Sequence, residues 1–221
     1  MEHIDNAKIE QLRRNYLSEP LDITDVFEDP FRQFNAWFSE AMSAEVYEPN
    51  AMTLATVDEH NAPQARIVLL KGIEENGFVF YTNYASAKGE EMALNDKVNL
   101  MFFWPELHRQ VRIDGIVYKI PEKQSLEYFQ SRPKGSQLGA WVSQQSKVVE
   151  NRAVLEHKYA ELETQYTGVD VLPKPAHWGG YTVKPYKMEF WQGRMNRLHD
   201  RLRYTLEELT PKKWKIDRLA P

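Results

Sequence analysis

Five short runs in the middle of the chain limit the fold most. AMTLATV (51–57), QARIVLLK (64–71), GFVFYTN (77–83), KVNLMFFW (97–104) and RQVRIDGIVYKI (109–120) are rich in β-branched and aromatic residues. Asn, Gly, Asp and Pro punctuate them, and this pattern predicts an antiparallel meander. One short helix interrupts it, at ASAKGEEMALN (85–95). The order is not strand–helix–strand–helix, so a doubly wound parallel sheet is not expected. Three further runs close the chain as strands: 181–193, 197–206 and 213–220. Helical spacing appears at 31–46, 122–132 and 147–166. In the first, Phe31, Phe34, Phe38, Ala41 and Met42 share a stripe, with Asp29 as N-cap and Pro30 at the first helical position. In the last, Val148, Leu155, Tyr159, Leu162 and Tyr166 share a face. Residues 171–180 read as a Pro/Gly loop. The fold class expected is mainly β with peripheral helices (α+β), an antiparallel β-barrel.

Composition narrows the chemistry. The chain has 221 residues and no cysteine, which excludes disulfides, thiolate catalysis and cysteine-ligated metals. Six histidines are scattered without H-x-x-x-H or HExxH spacing, so no metal site is expected. No G-x-G-x-x-G, Walker loop or G-x-S-x-G elbow is present. A net charge of −4 argues against a nucleic-acid partner. No run reaches the roughly 20 apolar residues of a membrane span, and no secretory h-region opens the chain. A cytoplasmic protein is expected.

Basic and polar residues gather in several places. Arg66 and Lys71 bracket an apolar run, IVLL, which suggests a strand buried on both faces. Lys88 falls in the first turn of the 85–95 helix behind Ser86, where a cation opposes the helix dipole unless an anion binds. Tyr128, Arg132 and Ser136 are spaced by four, and Pro133 and Gly135 break the helix between them. They offer a phenol, a guanidinium and a hydroxyl, a donor set suited to phosphate. Gln and Ser in WVSQQSK add donors for a heterocycle edge. Arg197, His199, Arg201 and Arg203 alternate, which on one strand would place four cations on one face. Like charges so aligned repel. A solvated sheet face is the ordinary reading of such a row, and an anion site the sharper one. The set suggests a site for two phosphorylated aromatic ligands.

ARIVLLK, VFYTN, RQVRIDG, YFQSRPKGSQLGAWVSQQS, EFWQG, RLHDR and the ending WKIDRLAP resemble the pyridoxine/pyridoxamine 5′-phosphate oxidase family. The resemblance runs from about residue 5 to residue 221. It implies an FMN-binding split β-barrel and a homodimer with FMN at the interface. It implies oxidation of pyridoxine 5′-phosphate and pyridoxamine 5′-phosphate to pyridoxal 5′-phosphate, with O2 as acceptor. By position, Arg66, Ile67, Val68, Leu69, Leu70, Lys71, Tyr81, Thr82, Lys88 and Gln110 match FMN contacts. Gln145, Ser146, Trp191 and Arg201 match flavin contacts supplied across the dimer. Lys71, Tyr128, Arg132 and Ser136 match the grip on the substrate phosphate. Arg197 and His199 match the catalytic pair over the substrate ring, His199 as a proton acceptor or hydrogen-bond partner. Arg13 and Tyr16 match a closing N-terminal segment. The organisation implied is a flexible segment over 1–20 and one domain over 21–221. One departure stands out: the family's S-R-K reads Ser86-Ala87-Lys88 here, one cation fewer beside the FMN phosphate. The alternative reading is a non-catalytic split-barrel binder of FMN or pyridoxal phosphate. A split-barrel flavin reductase would not need the Tyr128/Arg132/Ser136 clamp, and a haem-binding split barrel is a weaker rival.

Overall fold

The computed structural model describes residues 16, 18–74, 77–209 and 211–221. Arg13 lies outside them. Nine strands join in one sheet: β1 (Ala51–Val57), β2 (Pro63–Leu69), β3 (Gly72–Glu74), β4 (Gly77–Asn83), β5 (Lys97–Trp104), β6 (Arg109–Lys119), β7 (Trp178–Gln192), β8 (Asp200–Leu209) and β9 (Lys212–Arg218). The order is β2-β1-β5-β6-β7-β4-β3, with β8 on β7 and β9 on β8. The β1–β2, β1–β5, β3–β4, β4–β7, β7–β8 and β8–β9 pairs are antiparallel. Five α-helices accompany them among the described residues: α1 (Pro30–Ser43), α2 (Ala87–Leu94), α3 (Glu122–Ser131), α4 (Lys134–Val142) and α5 (Arg152–Gln165). This is the expected split-barrel class.

Contacts divide the chain into two units, and β5, β6 and β7 run through both. One unit holds Asn50–Met101 and Ile113–Tyr186. Its strands bury Met52, Leu54, Phe78, Phe80, Leu100 and Val183. Its helices meet over Phe129, Leu138, Leu172 and Trp178, with Tyr81, Tyr128, Tyr159 and Leu162 packed around them. The other holds Met1–Pro49, Phe102–Arg112 and Lys187–Pro221. There α1 lays Phe31, Phe34, Trp37 and Ala41 into the interior. Phe34 meets Phe102 at 5.0 Å between ring centroids and Trp37 meets Phe190 at 5.3 Å, edge to face. Asp29 accepts from the Phe31 N–H at 3.1 Å, so the cap is as expected. The stripe is not: Trp37 takes the inward place, and Met42 is 53% exposed.

Several boundaries moved. The last helix starts at Arg152, because Asn151 caps it by accepting from the Val154 N–H at 3.2 Å. Val148 therefore stands outside it, fully exposed. Gly135 does not break the chain; Pro133 does, and Gly135 lies inside α4. β2 is an edge strand that ends at Leu69, and Ile67 is 64% exposed, so the run from Arg66 to Lys71 is not buried on both faces. The Trp178-Gly179-Gly180 segment is strand, not loop: β7 begins at Trp178. Gly179 serves close approach, since a Cβ there would collide with the Tyr84 ring.

Gly89, in the first turn of α2, has no room for a side chain because the Tyr84 carbonyl occupies the space. Gly89→Ala should cost about 1–3 kcal/mol through overpacking, read as a lower urea midpoint at unchanged slope.

Candidate active site

One cavity of the first unit collects most of the residues singled out in the sequence. It measures about 460 Å³ and is lined by Ile67, Val68, Leu69, Lys71, Tyr81, Thr82, Lys88, Tyr128, Arg132, Pro133, Ser136, Gln145 and Trp178. A second cavity of about 390 Å³ shares Tyr81, Thr82, Arg132, Ser136, Gln145 and Trp178 with it and continues to Asn83, Gly139, Ala140 and Ser143.

The wall is built on an aromatic stack. Tyr81 of β4 lies against Tyr128 of α3, 3.8 Å between centroids and 15° between planes. Trp178 of β7 continues the stack at 5.4 Å from Tyr81. Arg132, the C-cap of α3, places its guanidinium over Trp178 at 4.7 Å. Burial lowers the pKa of Arg132, and its Nη1 finds no hydrogen-bond partner among the described residues. Tyr81 is pushed up to about 12, first by burial and then by the Glu74 charge, so its phenol stays protonated and can donate. Pro133 stops α3 and lets α4 begin at Lys134, which brings Ser136 into the same wall as Arg132.

The opposite end is set by α2. Ser86 stands at its N-cap, but its Oγ donates back to the Asn83 carbonyl at 2.6 Å, so no side chain caps the helix. Lys88 in the first turn is buried and donates to Gln145 Oε1 at 3.0 Å. Burial, then the charge of Arg66, lowers its pKa, while Glu91 raises it. A buried cation against an uncapped helix N-terminus calls for an anion. With Arg132 Nη1 unsatisfied as well, these residues fit a phosphorylated ligand at each end.

The structure does not gather every residue. Leu70 is buried in the interior. Arg66 turns away from the cavity, to Glu91 at 2.7 Å. Ser146 is exposed with φ 72° and lines neither cavity. Gln110, Trp191, Arg201, Arg197, His199 and Tyr16 belong to the second unit. There the His199 ring lies 4.7 Å from Trp191 and 5.8 Å from Tyr16. Tyr16 also packs on His108 at 4.6 Å, and Gly193 passes beneath it. Trp178, Glu91 and His108 were not singled out in the sequence. Trp178 was hidden by the Gly-Gly that follows it, which imitates a loop.

The alternating cation row needs correcting. Met195–Arg197 form a 3-10 turn in which Asn196 and Arg197 take left-handed φ of 56° and 62°. β8 begins at Asp200, so Arg197 and His199 are not on the strand with Arg201 and Arg203. Carboxylates on adjacent strands balance the remaining pair within the fold. Glu189 accepts from Arg201 at 2.9 Å and Asp217 accepts from Arg203 at 2.9 Å. Arg203 is therefore paired as well as partly solvated.

Comparison with known proteins now adds to the geometry. The chain is 54% identical over 210 residues to the pyridoxine/pyridoxamine 5′-phosphate oxidase of Burkholderia thailandensis, covering 95% of this chain and 97% of the relative. The chain belongs to the pyridoxine/pyridoxamine 5′-phosphate oxidase family. The Burkholderia mallei oxidase is 53% identical over the same length. Residues 38–166 match the family model described as pyridoxamine 5′-phosphate oxidase, and residues 178–221 match its C-terminal dimerisation region. Among solved structures, PhzG of Burkholderia lata in complex with tetrahydrophenazine-1-carboxylic acid superposes with TM-score 0.85 at 29% identity, over 92% of this chain and 99% of that one. An oxidase-related FMN-binding protein of Nostoc punctiforme shares the fold, with TM-score 0.68 at 16% identity over 87% and 98%. This oxidase-family chain is thus an oxidoreductase of FMN-binding split-barrel type, and FMN is its cofactor. Among the described residues no helix is long and apolar enough to cross a membrane, and no cluster of potential metal ligands occurs.

Burial, then the charge of Arg197, lowers the pKa of His199 below 6.5, while Asp200 raises it. A depressed imidazole stays neutral further into acid than an ordinary one, and its protonation opposes folding as pH falls through 6.5. An NMR titration should place its midpoint below 6.5. Arg197→Ala should move that midpoint upward, because a repelling cation is removed.

Proposed function

We propose that this chain oxidises pyridoxine 5′-phosphate and pyridoxamine 5′-phosphate to pyridoxal 5′-phosphate, using O2 and releasing hydrogen peroxide, with ammonia from the amine. The observation that carries the reading is the buried, unsatisfied Arg132 Nη1, set beside Lys71, Tyr128 and Ser136 in one cavity wall. Charge-assisted bonds from such a set suit a phosphate dianion and hold the ligand by one end. FMN, when bound, accepts the hydride leaving the substrate's C4′. Lys88, Thr82, Tyr81, Gln145 and the backbone run 67–71 hold the flavin in this reading, and the active form is a homodimer with FMN at its interface.

Arg197 and His199 keep their assignment to the substrate ring. The Arg194 N–H donates to His199 Nδ1 at 3.0 Å. A nitrogen that accepts carries no proton, so in the neutral ring Nε2 does. This supports His199 as a hydrogen-bond donor through Nε2 and not as a proton acceptor. Arg197 stabilises developing charge on the substrate.

The likeness to PhzG favours a second reading, in which the ligand is a tricyclic carboxylate such as that protein holds. A non-catalytic binder of FMN or pyridoxal phosphate is the remaining rival. One experiment separates the oxidase from both rivals. The flavin-loaded protein should lose its visible absorption when pyridoxine phosphate is added without oxygen, and regain it with peroxide release on adding air. No bleaching would sink the oxidase reading. Arg132→Ala should raise KM for the phosphate substrate about 10- to 100-fold, equivalent to roughly 1.5–3 kcal/mol, while flavin content stays unchanged.

A further inference from the structure

Arg66 is a cation in the flavin stretch whose charge is already taken. It sits on β2 opposite Leu54 of β1. Its Nη2 meets Glu91 Oε2 at 2.7 Å, and its Nη1 donates to Thr56 Oγ1 and, at 3.4 Å, to the Leu54 carbonyl. Thr56 Oγ1 donates in turn to Glu91 Oε2. The Glu91 side chain is 10% exposed and that of Arg66 21%. Three groups thus close on one another, and the guanidinium lines neither cavity described above.

Glu91 lies one turn along α2 from Lys88, on the same helix face. Its charge reaches Lys88, and so does that of Arg66, since both shift the Lys88 pKa, in opposite directions. Ala87, the first residue of α2, brings no charge. Among the buried or half-buried charges here, Lys88 and Arg66 thus face one carboxylate, Glu91; Glu90 in the first turn is exposed and paired with Lys147 at 3.0 Å. A phosphate arriving there meets Lys88, a guanidinium with three of its five N–H donors already given to Thr56, Leu54 and Glu91, and a buried like charge. Buried carboxylates are rarely kept without a role, and pairing here satisfies Glu91 at the expense of Arg66.

We propose that Glu91 sets the affinity of the site for the flavin phosphate. It draws Arg66 away from that phosphate and repels it, so the protein holds FMN less tightly than a neutral residue at 91 would allow. The proposal rests on the reading of this end of the cavity as the FMN phosphate site. Riboflavin has the same ring system without the phosphate, which makes it the control.

Apoprotein is titrated with FMN and, separately, with riboflavin, following flavin fluorescence. Glu91→Gln keeps the side-chain length and an acceptor for Arg66 and Thr56 but removes the charge. FMN should bind about tenfold more tightly to it, the scale expected for deleting one solvent-screened like charge near a dianion. Riboflavin affinity should not change. Glu91→Met, which removes the charge and the acceptor together, should also raise the preference for FMN over riboflavin and guards against a fold-specific effect of one amide. If wild-type protein takes up FMN while both variants bind it equally or more weakly, Glu91 aims Arg66 at the phosphate and the proposal is overturned. If wild-type protein takes up no FMN, the cofactor reading fails first and the proposal with it.

Discussion

The stack of Tyr81, Tyr128 and Trp178 is the contact on which the candidate site depends. It joins a residue of β4, one of α3 and one of β7, with centroids 3.8 Å and 5.4 Å from Tyr81. Offset aromatic pairs contribute about 0.5–1.5 kcal/mol each beyond the area they bury. Their larger effect here is geometric. α3 ends within one turn of Tyr128, so fixing that ring fixes Arg132. The guanidinium then lies on Trp178, where its charge is partly compensated by the ring face and its outer nitrogen is kept dry. A cation held dry and unsatisfied costs stability in the empty protein. An anion bound against it would recover that cost, converting fold energy into ligand affinity.

The same logic runs the other way in the second unit. Arg201 and Arg203 also stand close together, yet each has a carboxylate across the sheet, Glu189 and Asp217. Burial for Arg201 is opposed by its bond to Glu189, and the net effect raises its pKa. Cations that are paired within the fold stabilise it without asking for a ligand. Arg203 still leaves its buried Nε without a partner, so an unsatisfied nitrogen alone marks no site; Arg132 differs in lying on Trp178 at the cavity rather than against a carboxylate.

Much of this was legible in the chain and some was not. The strands from 51 to 119 were readable because Asn, Gly, Asp and Pro fall between short β-branched runs, but the expected meander is not what they form: β1 pairs with β5 and β4 with β7, pairings that no local signal carries. The α3–α4 break was readable because Pro133 cannot continue a helix. Tyr128, Arg132 and Ser136 could be grouped by their spacing of four, Lys71 joined them only through the family resemblance, and all four line one cavity. Trp178 was lost because Gly179-Gly180 resembles a loop, although both residues sit in a strand where ring packing excludes a Cβ. Ile67 was taken as buried because IVLL is uniformly apolar, a pattern that hydropathy cannot distinguish from an uncovered edge. Glu91 left no local signal, since its partners Arg66 and Thr56 lie on two other strands. The alternation from Arg197 to Arg203 suggested one continuous strand. Positive φ at Asn196 and Arg197 interrupts it, and side-chain spacing carries no trace of that.

That turn has a consequence for how the sequence can change. Each non-glycine residue with left-handed φ costs on the order of 1–3 kcal/mol in principle, and asparagine tolerates it best. Arg197 hangs from this turn, in the connection that follows the Gln192–Asp200 pair of β7 and β8, and not from a strand. Arg201 and Arg203 are tied to that pairing through their carboxylates and can be exchanged only together with them. The cation row is therefore two separable parts. One is bound to the architecture and must drift in pairs. The other stands on a turn outside the strands, and a substitution there breaks neither of those two ion pairs.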